Sequence, residues 1–172
     1  MSRPNKILVA GIGNIFLGDD AFGSEVARRL MHEKLPAEVR VEDFGIRSYD
    51  LAYALMDGYE VTILIDITSQ GQSPGTVYLF EPDLNHLEQS DEKVADAHSM
   101  NPMRVLQMLR TFGNSPGKLY LIGCEPATLE VEDGRIGLSE VVEASVPQAI
   151  GLIKSLLRDL LQENLKTEPQ TA

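Results

Sequence analysis

A chain of 172 residues with 43% apolar content has room for one domain with a sizeable buried core, and its 26 acidic against 15 basic residues leave a formal net charge of -11. Such a charge argues against nucleic acid or an anionic membrane as partner, since both select a basic footprint. The single cysteine, Cys124, excludes an internal disulfide, the first apolar stretch is too short for a signal peptide, and no run approaches membrane-spanning length. A cytoplasmic protein with no membrane insertion is expected.

The elements alternate between short apolar runs and helical patterns, the signature of a sheet covered on both faces. A first strand over Ile7–Ala10 leads into the glycine-rich stretch Gly11 to Asp20, and a helix from about Ala21 presents Phe22, Val26, Leu30 and Met31 on one face. A second strand covers Val39–Phe44. A short helix capped by Ser48 or Asp50 follows and ends at Asp57-Gly58. The third strand, Val61–Ile67, is apolar up to Asp66 and reads as buried on both faces. Only Thr68 to Gly75 separates it from a fourth strand at Thr76–Phe80, too few residues for a parallel crossover, so that strand is expected antiparallel at an edge. Asn101-Pro102 then starts a helix to Phe112. A fifth strand spans Leu119–Gly123, and the segment Glu81–Met100 must carry the chain back across the sheet. A short irregular or hairpin stretch surrounds Asp133-Gly134. A terminal helix capped by Ser139 is expected to kink or split at Pro147, and to fray into a polar tail from about 162 to 172. The whole reads as a single α/β domain.

Three groups converge on the C-terminal edge of the parallel strands, where open α/β sheets place their sites. Asp19 and Asp20 follow the first strand, Asp66 ends the third, and His98 arrives by the long return segment. Two carboxylates and an imidazole form a mixed N/O set suited to a divalent transition metal with room for an exogenous ligand. Each also has an ordinary reading: one of Asp19 and Asp20 as a helix cap, His98 as an exposed loop residue. Asp66 is costly in an apolar strand unless paired or used. Asn14, Asp19, Arg47 and Glu125 are candidates for substrate contact, Glu125 equally for a solvated loop carboxylate. Cys124 reads as a packing residue. The turn is a poor dinucleotide fingerprint, because Phe16 stands where a third glycine would be needed.

Four segments carry a family resemblance: Gly11 to Asp20, Thr62 to Asp66, Asp96-Ala97-His98-Ser99-Met100-Asn101-Pro102 and Ile122 to Pro126. Together they resemble the hydrogenase maturation endopeptidases, and the likeness covers nearly the whole chain. The resemblance implies a three-layer α/β/α sandwich of phosphorylase/hydrolase-like type, with a five-stranded, mostly parallel sheet and one antiparallel strand. It implies an endopeptidase that removes the C-terminal extension of a nickel–iron hydrogenase large-subunit precursor after nickel insertion. Asp20, Asp66 and His98 match the family's acidic, acidic and histidine positions, which are thought to hold nickel carried by the substrate rather than a resident ion. Two departures stand out. Ala21 replaces a common glycine, and Asp43-Phe44-Gly45-Ile46-Arg47 replaces an Asp-Gly-Gly-Thr-like run. Arg47 pairs in this reading with a substrate carboxylate, with Asp43 or with Asp50. Two rival readings stay open: a metal-dependent peptidase with another substrate and its own ion, and a non-catalytic nickel-dependent chaperone of the large subunit.

Overall fold

The computed structural model describes residues 6–82, 102–114, 117–129 and 137–167. Alternation along the strand Ile7–Ile12 (β1) decides the layering. Ile7 and Val9 face one side of the sheet with Ile63 and Ile65, whereas Leu8 and Ala10 face the other with Leu64. Both sets are fully or almost fully buried, so helices must cover both faces. Helices α1 (Phe22–Met31) and α4 (Glu140–Thr167) pack on the first side through Phe22, Val26, Val146 and Ile153. Helices α2 (Ser48–Leu55) and α3 (Pro102–Thr111) pack on the second through Leu51, Leu55, Val105 and Leu109.

Among the described residues five strands form one sheet: β1, β2 (Val39–Gly45), β3 (Val61–Ile67), β4 (Val77–Phe80) and β5 (Lys118–Cys124), in the order β2-β1-β3-β5-β4. All neighbours are parallel except β4, which runs antiparallel to β5 at the edge, as the short connection requires. This is the three-layer α/β fold that the sequence implies. The register places Gly11 beside Ile65 on β3, and a slip in the β1–β2 ladder sets Gly11 opposite Asp43 but Ile12 opposite Gly45. Such irregularities bend a strand end and re-aim the loop beyond it.

Several expectations need correction. Helix α4 is not split at Pro147 but runs through it to Thr167, past the point where a frayed tail was expected. A proline there removes one helical hydrogen bond, and Pro147 is exposed, so water can serve the freed carbonyl. Buried Val142, Val146, Ala149 and Ile153 hold the helix to the sheet on either side of it. Met31 turns out to solvent rather than joining the α1 apolar face. Ser139 stands just before α4, its carbonyl accepting the Glu143 N–H at 2.8 Å, while its hydroxyl donates to Asp19. The stretch around Asp133-Gly134 and most of Glu81–Met100 lie outside the described residues.

Candidate active site

The glycine-rich segment works by close approach. A Cβ on Gly13 would lie 2.1 Å from the Asp20 carbonyl oxygen, and one on Gly23 would lie 2.1 Å and 2.2 Å from the carbonyl oxygens of Ile65 and Ile12. The first turn of α1 therefore sits directly on the ends of β1 and β3. That contact brings the Gly18–Ala21 3-10 turn, which carries Asp20, against the strand end that carries Asp66.

Neither aspartate of the turn caps a helix: Ala21 stands at the N-cap of α1 with no side-chain bond. Asp20 instead accepts the backbone N–H of Asn14 at 3.0 Å, closing the loop on itself. Burial raises the Asp20 carboxyl above its ordinary pKa, partly offset by that bond. Asp66 is raised further, first by burial and then by the charge of Asp20, while the Ile67 N–H at 2.8 Å pulls the other way. Two carboxylates thus share one field at the C-terminal edge of adjacent strands, and among the described residues neither enters an ion pair. Such a pair suits a cation between its members, or proton transfer by one of them. Among the described residues no group of three potential metal ligands occurs, and His98 lies outside them.

Asp19 and Glu125 face inward. Asp19 is fully buried and accepts from the backbone N–H groups of Ala127 (2.8 Å), Thr128 (3.0 Å) and Ser139 (2.7 Å) and from the Ser139 hydroxyl (3.0 Å). Its oxygens are saturated by the chain itself, which corrects the expectation that Asp19 contacts substrate. Glu125, 6% exposed, likewise binds the N–H groups of Gln70 and Gly71 and the Tyr78 hydroxyl, so it organises the loop after β3 rather than meeting solvent or substrate.

Beside Asp20 a groove of about 280 Å³ runs between the loops after β1 and β2, lined by Asn14, Phe16, Arg28, Asp43, Ile46 and Arg47 among others. Asn14 caps its own turn, accepting the N–H of Phe16. Arg47 is tied down by the Asp50 carboxylate (3.0 Å) and the carbonyls of Asp43 and Phe44 (2.6 and 3.2 Å). The Asp43 carboxylate turns instead to Arg28 at 3.1 Å and to the Gly45 N–H.

A model of the hydrogenase maturation protease family (HycI) matches residues 24–156, most of the chain. The chain belongs to the hydrogenase maturation protease family. The hydrogenase 2 maturation protease of Escherichia coli is 31% identical over 162 residues, covering 90% of this chain and 92% of that protein. The hydrogenase expression/formation protein HupD of Rhodobacter capsulatus is 28% identical over 151 residues, 86% of this chain and 71% of that protein. Among solved structures, the E. coli hydrogenase maturating endopeptidase HybD superposes with a TM-score of 0.75 at 31% identity, over 90% of this chain and 93% of that one. The activity is therefore that of a peptidase.

Arg28 of this protease was not singled out from the sequence; it lines the groove and pairs with the Asp43 carboxylate, and Ser24, one turn earlier, donates its hydroxyl to the Gly13 carbonyl at 3.3 Å. Cys124 is fully buried, and burial pushes its thiol up to about 11, in keeping with a packing role. No helix among the described residues of the protease is long and apolar enough to cross a membrane.

Proposed function

We propose that this maturation protease removes the C-terminal extension of a nickel–iron hydrogenase large-subunit precursor after nickel insertion, and that Asp20, Asp66 and His98 recognise the nickel carried by that substrate. The observation that carries the reading is the Asp20–Asp66 pair: two desolvated carboxylates at one strand edge, each raised in pKa, with no cation of the chain paired to them among the described residues. A divalent ion delivered by the substrate would stabilise both in the ionised form. His98, four residues before α3 in sequence, would add the nitrogen ligand. Hydrolysis needs a base for the attacking water. Either Asp20, whose single backbone bond leaves an oxygen open, takes the water's proton, or the nickel of the substrate would polarise the scissile carbonyl; the saturated oxygens of Asp19 and Glu125 suit neither role. The acidic chain and its free cysteine suit a cytoplasmic reaction.

The test is to incubate the protein with nickel-loaded and nickel-free precursor and follow the mass of the large subunit. Loss of the C-terminal peptide from the nickel-loaded form alone is expected. Cleavage of both forms at equal rates would remove the nickel-recognition role from the three residues, and precursor binding with no change in mass would point to a chaperone.

A further inference from the structure

Helix α2 has an outer face that a solvated helix does not ordinarily carry. Its inner face, Leu51, Ala52, Ala54 and Leu55, is buried, and opposite it Tyr49 and Tyr53 are each 69% exposed. Ile46 before the helix and Met56 at its C-cap are 53% and 42% exposed; Tyr49, Tyr53 and Met56 recur at the spacing of one helical side, and Ile46 adds apolar surface ahead of its first turn. The stripe does not stand alone. Ile46 also lines the groove beside Asp20, and Phe16, 66% exposed, lines it too. The groove reaches Gly13 and Asn14, whose backbone N–H binds the Asp20 carboxylate, and Ile46 carries its lining to the start of α2. It is also held in place, because Arg47 links the Asp43 and Phe44 carbonyls to Asp50 on the helix.

We infer that this face, Phe16–Ile46–Tyr49–Tyr53, is where the folded body of the protein substrate docks while its tail lies in the groove; this rests on the protease reading given above. Tyrosine and methionine are enriched at interface cores because they offer broad apolar area with a polar or adaptable end. A tyrosine-rich stripe tolerates water between encounters, which suits a partner that binds and leaves. A permanent interface with a second copy would be larger and more uniformly apolar. Continuity with the catalytic edge favours the substrate over other partners.

The experiment is steady-state cleavage of the nickel-loaded large-subunit precursor by the wild type, by Tyr49→Ala/Tyr53→Ala, and by Leu79→Ala, an exposed change on the distant edge strand β4. Direct binding of the same precursor is measured by biolayer interferometry, and oligomeric state by sedimentation. The double variant is expected to raise KM and Kd by about tenfold or more with kcat within about twofold, while Leu79→Ala behaves as wild type. With a wild type that cleaves, KM and Kd of the double variant equal to those of the wild type would overturn the docking face. So would a dimer that the double variant dissociates without changing KM, which would make the face a self-interface. A wild type that binds the precursor through these tyrosines but does not cleave it would defeat the protease reading and uphold the docking face. One that neither binds nor cleaves defeats both.

Discussion

Ser139 donates both its backbone N–H and its hydroxyl to the carboxylate of Asp19, 120 residues earlier in the chain. With the N–H groups of Ala127 and Thr128 on the same carboxylate, one buried side chain joins the glycine-rich turn, the exit of β5 and the start of α4. Asp19→Ala leaves these part-buried donors without their acceptor. Hydrogen bonds to a charged group are worth about 1.5–3 kcal/mol each and unsatisfied donors cost a similar amount, so a loss of about 3–5 kcal/mol of stability is expected. Urea unfolding of Asp19→Ala against wild type measures it. Because Asp20 is the next residue, the same variant is expected to lose cleavage activity even where it remains folded.

The packing of α1 onto the strand ends gives a sharper contrast between two glycines. Gly23→Ala would force a Cβ to within 2.1–2.2 Å of two backbone carbonyl oxygens that cannot rotate away. Backbone shifts of that kind cost about 1–3 kcal/mol or more, and here they would also displace Ile65 and its neighbour Asp66. Gly151 lies exposed within α4 with nothing within 4 Å of a new Cβ. Gly151→Ala should stabilise by about 0.5–1 kcal/mol through helix propensity. Thermal melts of the two variants should move in opposite directions.

The layering was legible because every central strand is apolar on both faces, and the antiparallel edge strand was implied by the eight residues between Ile67 and Thr76. The features hidden from the linear pattern were tertiary. Asp19 and Asp20 are adjacent, identical in chemistry and both plausible as caps, yet the Ala127–Ser139 region claims the first and leaves the second beside Asp66. No local rule separates them, since the partners of Asp19 lie more than a hundred residues away. A kink or a split was expected at Pro147 because helix rules carry no account of flanking core contacts, and the helix runs through unsplit. The outward tyrosines of α2 were not read from the sequence, because only burial tells which face of a short helix is outward.

Asp66 illustrates a cost at the proposed centre. Burial and the neighbouring Asp20 charge raise its pKa well above that of a free aspartate. A carboxyl whose folded pKa is raised loses stability as pH climbs from the unfolded value through the folded one, because the native state must surrender a proton it holds more tightly. Asp66→Asn removes that penalty. The variant is expected to be as stable as wild type or more so at neutral pH, while losing cleavage by at least about a hundredfold, the loss typical of removing a metal or proton-transfer group. Paired melting curves and precursor-cleavage rates decide it. A variant less stable than wild type would show that Asp66 is held by compensating contacts instead.

Glu125 should dominate the opposite sign. The Gln70 N–H first, then the Tyr78 hydroxyl and the Gly71 N–H, hold its carboxyl below the ordinary glutamate range, while Tyr78 is itself pushed up to about 12, by burial first and then by its bond to Glu125. A depressed folded pKa gives stability that is fully present above the unfolded value of about 4.3 and is lost as pH falls through the folded one. Acid unfolding of the wild type should therefore steepen below about pH 4.3, and Glu125→Gln, which keeps one acceptor but cannot titrate, should flatten that limb. The neutral-pH stability of Glu125→Gln should drop, since two backbone donors and a phenol would then share a weaker acceptor. Chemical denaturation across about pH 3–7 for both proteins separates the outcomes: parallel acid limbs in wild type and Glu125→Gln would mean that other carboxylates carry the acid sensitivity.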